Sequence, residues 1–244
     1  MKILGIDIGG SALKGAPVNT HTGKLLAERY RIETPNRLTP HETAAGVQEI
    51  ARHFKWRGPI GIGFPGVIQG GVAKTAANLD KDFVGLNLEK LFHEATGCRV
   101  AVINDADAAG MAEMKFGAGK GHLGTVLLLT LGTGVGSALF YGGFLYPNSE
   151  LGHLPMSGHS AEKKVAASVR KAKDLSWSDW AGTLDKYLSI LEKILWPELI
   201  ILGGGVSAKS DKFFPFLKTR APVVPAQLLN EAGIVGAALR GLKR

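Results

Sequence analysis

Apolar residues in the first part of the chain come in short unbroken runs punctuated by glycine, the pattern of buried strands rather than amphipathic helices. Lys2–Ile8 is one such run, interrupted only by Asp7. Gly9-Gly10 turns it, Ala12–Val18 returns, Thr20–Gly23 turns again, and Lys24–Ile32 reads as a third strand. Pro40 then opens a helix to about His53, with Thr39 as its cap. Ile60–Gly63 is a short strand running into Phe64-Pro65-Gly66, and Gly70-Gly71 marks a small hairpin. Leu86–Thr96 reads as a helix stopped by Gly97. Arg99–Ile103 is a strand with Asn104-Asp105 at its C-terminal end, followed by a helix from about Ala106 to Lys115.

The pattern then restarts. Leu123 to Leu145 carries no charge and is long enough to span a bilayer, but it contains Gly132, Gly134, Gly136, Gly142 and Gly143. Two buried strands joined by a glycine turn explain it better than a membrane helix. Ala161–Lys173 and Ser176–Leu195 read as helices, the latter opened by Ser176 with Asp179 in a capping box. Leu199–Leu202 is a buried strand running into Gly203-Gly204-Gly205, and helices near Lys209–Leu217 and Glu231–Leu242 follow. Ile6-Asp7-Ile8-Gly9-Gly10-Ser11 and Leu129-Thr130-Leu131-Gly132-Thr133-Gly134 share one layout, a strand ending in a glycine turn and returning as a strand. The expectation is an α/β protein of two related βββαβα-like lobes, 1–117 and 118–244, with a ligand cleft between them. The final helix, from about 231, can pack back onto the first lobe.

Composition narrows this. The chain has 244 residues, of which 45% are hydrophobic and 20% charged, which are ordinary globular values and exclude a disordered chain. A formal net charge of +8 favours an anionic partner without choosing among nucleic acid, membrane surface and polyanionic substrate. The lone cysteine, Cys98, rules out an internal disulfide and thiolate metal clusters, and suits a reducing, cytoplasmic setting. Asp7 interrupts the first apolar run too early for a signal peptide.

The glycine turns carry the candidate chemistry. A phosphate needs backbone N–H donors that approach without Cβ obstruction, and Gly9, Gly10 and Ser11 supply such a turn. Asp7 could hold a hydrated Mg²⁺, and Lys14 could offer a point charge to a phosphate. Thr130 with Gly132-Thr133-Gly134 would clamp the same phosphates from the other lobe, and Gly203-Gly204-Gly205 resembles a nucleotide-facing turn. Gly117-Ala118-Gly119-Lys120-Gly121 fails as a P-loop: it lacks the first glycine at the required offset and the Ser/Thr after lysine. The Gly132 region likewise fails as a dinucleotide fingerprint. Asp105, at a strand C-terminus, is the candidate general base that accepts a hydroxyl proton during phosphoryl transfer, with Asn104 orienting the acceptor. The competing reading makes Asp105 a helix N-cap. Glu150 and His153 could hydrogen-bond hydroxyls, with His159 and Glu162 nearby. Lys163, Lys164, Arg170, Lys171 and Lys173 crowd one expected helix, and Lys209, Lys212, Lys218 and Arg220 follow the triple glycine. They form either a solvated face or a track for a long polyanion.

Together these residues resemble the ROK family of sugar kinases and regulators, on the actin-like ATPase (ribonuclease H-like) duplicated fold, and within it the polyphosphate glucokinase branch. The resemblance spans the chain. It rests on Asp7-Ile8-Gly9-Gly10-Ser11 through Lys14-Gly15-Ala16, on Leu131–Gly136, and on Glu150-Leu151-Gly152-His153-Leu154-Pro155. Its most specific segments are Leu175–Ala181 and Asn230–Ala238. It implies glucose contacts at Asn78, Asn104, Asp105, Glu150, His153 and Glu162, with Asp105 as base. It implies donor contacts at the two loops and near Gly203–Gly205; Lys171, Lys209 and Lys212 are the candidate residues of the polyphosphate track read from the basic positions. A homodimer and Mg²⁺ are implied as well; neither nucleic acid nor membrane is expected as a partner, since no reading helix or uninterrupted apolar helix is legible. Most ROK kinases carry a zinc-binding cysteine cluster after the Glu-x-Gly-His segment; Met156–Glu162 has none, as in the polyphosphate branch, so no zinc is expected. The first strand begins at Lys2, which leaves no room for the DNA-binding extension of the family's regulators. Phe83 stands where relatives often have Trp. Phosphorylation of glucose by polyphosphate, with ATP as a further donor, leads over a strictly ATP-dependent kinase and over a sugar-binding regulator without catalysis.

Overall fold

The computed structural model describes residues 1–34, 37–77 and 79–242. The chain divides into two compact units, residues 1–112 with 231–244, and residues 113–230.

The first unit is built on a five-stranded sheet in the order β3-β2-β1-β4-β7. In chain order its main elements are β1 (Lys2–Ile8), β2 (Ala12–Asn19), β3 (Tyr30–Glu33), α1 (Pro40–His53) and β4 (Ile60–Phe64). A small hairpin of β5 (Ile68–Gln69) and β6 (Val72–Ala73) follows, then α2 (Leu88–Thr96), β7 (Val100–Asn104) and the start of α3 (Asp105–Phe116). β1, β2 and β3 form an antiparallel meander, while β1, β4 and β7 are parallel. Strand alternation sends Leu4, Ile6 and Ile8 into the core formed with α1 and α2, where Phe83 packs 5.1 Å from Phe64. The opposite face is lined by glycine. Cβ atoms on Gly5 and Gly61 would collide with the carbonyls of Ile234 and Ala237 on the last helix, α7 (Ala232–Arg240). That helix lies against the bare backbone of β1 and β4, an approach only glycine permits. Thr39 caps α1 by accepting the Glu42 N–H, while the Glu42 carboxylate accepts from the Thr39 N–H at 2.8 Å. The expected third strand is shorter than read: residues 24–29 are not strand apart from a bridge between Leu25 and Val18.

The second unit repeats this topology in the order β10-β9-β8-β13-β14. After α3 come β8 (Val126–Leu131), β9 (Val135–Tyr141) and β10 (Phe144–Tyr146), again an antiparallel meander. β11 (Pro155–Met156) and β12 (His159–Ser160) form a short hairpin. Next come α4 (Glu162–Val165), α5 (Ala167–Ala172), α6 (Trp177–Leu195), β13 (Leu199–Gly203) and β14 (Val223–Pro225), the two strands parallel to each other and to β8. Leu127, Leu129 and Leu131 pack under Trp180, Leu184, Tyr187, Leu188 and Leu191 of α6. The uncharged stretch 123–145 therefore holds the buried β8, the largely buried β9 and the start of β10, with Leu123, Tyr141 and Phe144 exposed, and among the described residues no helix is long and apolar enough to cross a membrane.

Two helices differ from the sequence reading. Ala161–Lys173 breaks at Ala166, whose ψ of 145° is extended, so its basic residues sit on two short helices. The break lets Ser168 donate its N–H to Gly132 O (3.0 Å) and its hydroxyl to Thr133 O (2.7 Å). The expected helix near 209–217 is two 3-10 turns, Ser207–Lys212 and Phe214–Phe216, because Lys209 is non-helical and Pro215 removes a donor.

Candidate active site

In the first unit the candidate residues gather at the C-terminal edge of β1, β4 and β7. Register pairs Asp7 with Lys14 on β2 and with Gly63 on β4, Gly63 with Ile103, and Phe64 with Asn104. A Cβ on Gly63 would lie 3.6 Å from Asp105 Cα and 3.8 Å from Asp7 Oδ1, so the missing side chain opens the space between the two acidic positions. Gly233, in the first turn of α7, is closer still: a Cβ there would stand 2.9 Å from Asp7 Cγ. Burial pushes the Asp7 carboxyl above its ordinary value, and Lys14, with Nζ 3.8 Å away, pulls it part of the way back. Asp7 thus carries more negative charge than its surroundings compensate.

The helix cap that competed for Asp105 falls to its neighbour. Asn104 Oδ1 accepts the N–H groups of Ala106 (2.9 Å) and Asp107 (3.0 Å), and its Nδ2 donates to Gly66 O (3.2 Å). Among the described residues this buried amide has one N–H without a hydrogen bond. Asp105 is half-buried and occupies the first helical position, where its carboxylate also accepts the Ala106 N–H at 2.8 Å. The Gly9–Ser11 turn is closed by Gly9 N–H donating to Ala12 O (3.0 Å), and Gly10 and Ser11 are exposed. Asn78 lies outside the described residues.

In the second unit Thr130 pairs with Gly136 and Gly203, the positions that Lys14 and Gly63 hold around Asp7. The Gly132–Gly134 turn is closed by Gly132 N–H donating to Gly134 O (3.0 Å), and Ser168 occupies the carbonyls of Gly132 and Thr133. A Cβ on Gly132 would meet no heavy atom within 4 Å among the described residues, and its backbone is not left-handed. The same holds for Gly205, whereas Gly204 (φ +82°) would strike the Leu131 carbonyl. Gly204 is thus required by the turn, while Gly132 and Gly205 leave open room above strand ends.

Glu150, His153 and Glu162 form one cluster. His153 Nε2 lies 3.5 Å from Glu150 Oε2, and its Nδ1 lies 3.8 Å from Glu162 Oε1. Ser137 fixes this segment to β9: its hydroxyl donates to Ser149 O and accepts the Leu151 N–H at 3.0 Å. Glu162 Oε2 would be 2.8 Å from a Cβ on Gly134, which ties the cluster to the turn. His159, on the β11–β12 hairpin, forms no ion pair with the cluster. Among the described residues no group of three or more His, Cys, Asp or Glu is placed to hold a metal ion. Lys171, Lys209 and Lys212 are exposed. The segments that carry them are joined by a stack in which Arg170 lies 4.0 Å over Trp177 and Trp177 stacks on Phe213 at 6.0 Å. Ser137, Ser168 and Gly233 escaped sequence reading because each acts through tertiary contacts that carry no local pattern.

Comparison with known proteins agrees with this architecture. The sequence model of the ROK family matches residues 3–164. The chain belongs to the ROK family. A polyphosphate glucokinase from Mycobacterium tuberculosis is 48% identical over 236 residues, spanning 96% of this chain and 89% of that protein. The crystal structure of an inorganic polyphosphate/ATP-glucomannokinase from Arthrobacter sp. strain KM superposes with a TM-score of 0.94 at 47% identity, over 98% of each chain. A ROK family glucokinase from Streptomyces griseus, solved with glucose and AMPPNP, shares the fold at a TM-score of 0.81 and 24% identity. The fold is that of the actin-like ATPases.

Proposed function

We infer that this protein is a polyphosphate glucokinase, which transfers a phosphoryl group from inorganic polyphosphate, and also from ATP, to the 6-hydroxyl of glucose. The single observation that carries the chemistry is the pairing of Asp7 and Asp105 on one strand edge across the side-chain-free Gly63. The names of the Mycobacterium and Arthrobacter relatives support the donor and acceptor.

Each group then has a role. Asp105 accepts the hydroxyl proton as the phosphoryl group departs. Its modest basicity suffices because the transition state is loose and positioning dominates. Asn104 holds the start of α3 in place and offers its remaining N–H to the sugar. Glu150, His153, Glu162 and Asn78 bind the other hydroxyls. The amides of Gly9–Ser11 and Gly132–Gly134, with Lys14 and Thr130, hold phosphate oxygens. The residues fit Mg²⁺: Asp7 is a carboxylate short of compensating charge, and Mg²⁺ takes one or two carboxylates beside water and phosphate. When bound, the ion would neutralise charge on the transferring phosphate. The space above Gly205 receives the distal part of the donor, and Lys171, Lys209 and Lys212 line the course of a long polyanion. The reading includes a homodimer in the cytoplasm.

Initial rates with polyphosphate and with ATP, at matched phosphate concentration against glucose and mannose, test it. Glucose 6-phosphate from both donors is expected. Turnover with ATP alone restores the ATP-dependent kinase, and no product from either donor overturns the reading. Neutralising Lys171, Lys209 and Lys212 is expected to weaken polyphosphate use much more than ATP use. An equal effect on both donors removes the track.

A further inference from the structure

Every carbonyl of the Gly132-Thr133-Gly134 turn has a partner. Gly134 O accepts the Gly132 N–H (3.0 Å), which closes the turn. Gly132 O accepts the Ser168 N–H (3.0 Å), and Thr133 O accepts the Ser168 hydroxyl (2.7 Å). The turn's remaining donors are the N–H groups of Thr133 and Gly134, and no backbone acceptor among the described residues takes either. A Cβ on Gly132 would meet no heavy atom within 4 Å among the described residues, so the turn is uncovered there.

One residue sets this pattern. Among the described residues every peptide bond is trans. In a planar trans peptide the C=O of one residue and the N–H of the next point in opposite directions. With the Gly132 and Thr133 carbonyls both drawn to Ser168, the Thr133 and Gly134 N–H groups are turned away from it. Acceptors that would repel an anion are occupied, and two successive donors face the other way, as an anion-binding turn requires. Ser168 does this at a local cost. α5 starts from Ala166, an extended residue with no side-chain cap bond. Ser168 carries the only hydroxyl of α5, and it goes to the turn rather than to the amides of its own helix. The first unit's turn is held differently: there Ser11 O accepts the Thr34 N–H (3.2 Å), a bond between backbone groups.

We propose that Ser168 is a positioning residue for the phosphoryl donor: by holding the carbonyls of Gly132 and Thr133 it aims the Thr133 and Gly134 N–H groups at a donor phosphate. Ser168 itself touches no substrate, and no proton is transferred. The inference rests on the reading that the Gly132–Gly134 turn holds donor phosphate. It adds a side chain from another element that sets donor affinity through the backbone it holds.

The test compares Ser168→Ala, Ser168→Thr and Gly132→Ala. Readouts are KM for polyphosphate and for ATP at saturating glucose, glucose binding by calorimetry without donor, and donor-free thermal midpoints. Ser168→Ala keeps the backbone N–H and loses the hydroxyl. It is expected to raise KM for both donors about fivefold, the scale of one neutral hydrogen bond, while glucose affinity and the donor-free midpoint change little. Ser168→Thr keeps a hydroxyl and is expected to bring both donor KM values back to within about twofold of the native ones. Equal losses in the alanine and threonine variants overturn the proposal, because they trace the effect to packing. An effect on polyphosphate alone also overturns it, since it points to Lys171 one turn further along α5. So does a matching loss of glucose affinity. A lowered midpoint with unchanged donor KM marks a purely structural serine and sinks the idea as well. If Gly132→Ala raises donor KM and Ser168→Ala does not, the proposal fails and the turn keeps its assignment. If neither raises it, that assignment fails and the proposal falls with it.

Discussion

The two five-stranded sheets have one topology and two chemistries. In the first, the residue ahead of the glycine turn is Asp7, flanked by Lys14 and Gly63; in the second it is Thr130, flanked by Gly136 and Gly203. Two residues beyond the strand position facing Gly63 stands Asp105. Counting along β14 in the same way gives Leu228, whose N–H donates to Glu113 (2.7 Å). The devices that make structure are shared: a capped helix after each meander, opened by Thr39 or by Ser176, and a glycine turn after each first strand. At these equivalent positions the acids stand in one copy only. A duplicated scaffold thus repeats the glycine turn in both units, while the strand-end carboxylates Asp7 and Asp105 stand in only one.

The largest effect should separate the two copies. Asp105→Ala is expected to lower kcat about 10²–10⁴-fold, while Leu228→Ala stays within a few-fold. Initial rates at saturating glucose measure both, and comparable losses would break the comparison.

Next comes Asp7→Asn, expected to cut kcat/KM about tenfold or more, as loss of a charged contact does. The same change should raise the thermal midpoint at pH 7. Because burial raises the folded-state pKa of Asp7 above 3.8, the ionised group opposes folding at neutral pH, and that cost disappears as the pH falls toward 3.8. The gain is therefore largest at pH 7 and fades in acid, which scanning calorimetry across that window would follow. Thr130→Val should show no such pH dependence.

Glycines give the third contrast. Gly204→Ala is expected to destabilise by about 1–3 kcal/mol, from a left-handed backbone and a collision with the Leu131 carbonyl. Gly132→Ala should leave the midpoint almost unchanged and raise the donor KM. Urea unfolding beside donor titration separates them, and a destabilised Gly132→Ala would remove the argument that its open space serves a ligand.

The smallest effect should be equal in both copies. Thr39→Ala and Ser176→Ala each remove a helix cap and are expected to cost about 1 kcal/mol in urea unfolding.

Much of this was legible in sequence because buried strands ended by glycine leave a pattern. β1, α1 and the capping residues Thr39 and Ser176 follow directly from it. Helix propensity misled at 161–173, where Ala, Lys and Glu predict one helix but the chain is extended at Ala166, which lets Ser168 bond the Gly132 turn. Near 209–217 the expected single helix is interrupted at Pro215, which has no N–H to donate. At the candidate site, the positions of Asp7, Asn104 and Asp105 at strand ends could be read. The division of labour between the last two could not, because it depends on which side chain meets the helix amides.

The glycine-lined contact of α7 with β1 and β4 has a consequence in time. The strands it covers are made early in translation, and their bare face waits for a helix synthesised long afterwards. Until residues 232–240 emerge, the first unit presents an unfinished surface that includes the Asp7 strand end. The second unit, contiguous from 113 to 230, can complete its core while still tethered. The acidic edge of the first unit therefore cannot be completed before the chain reaches its last helix.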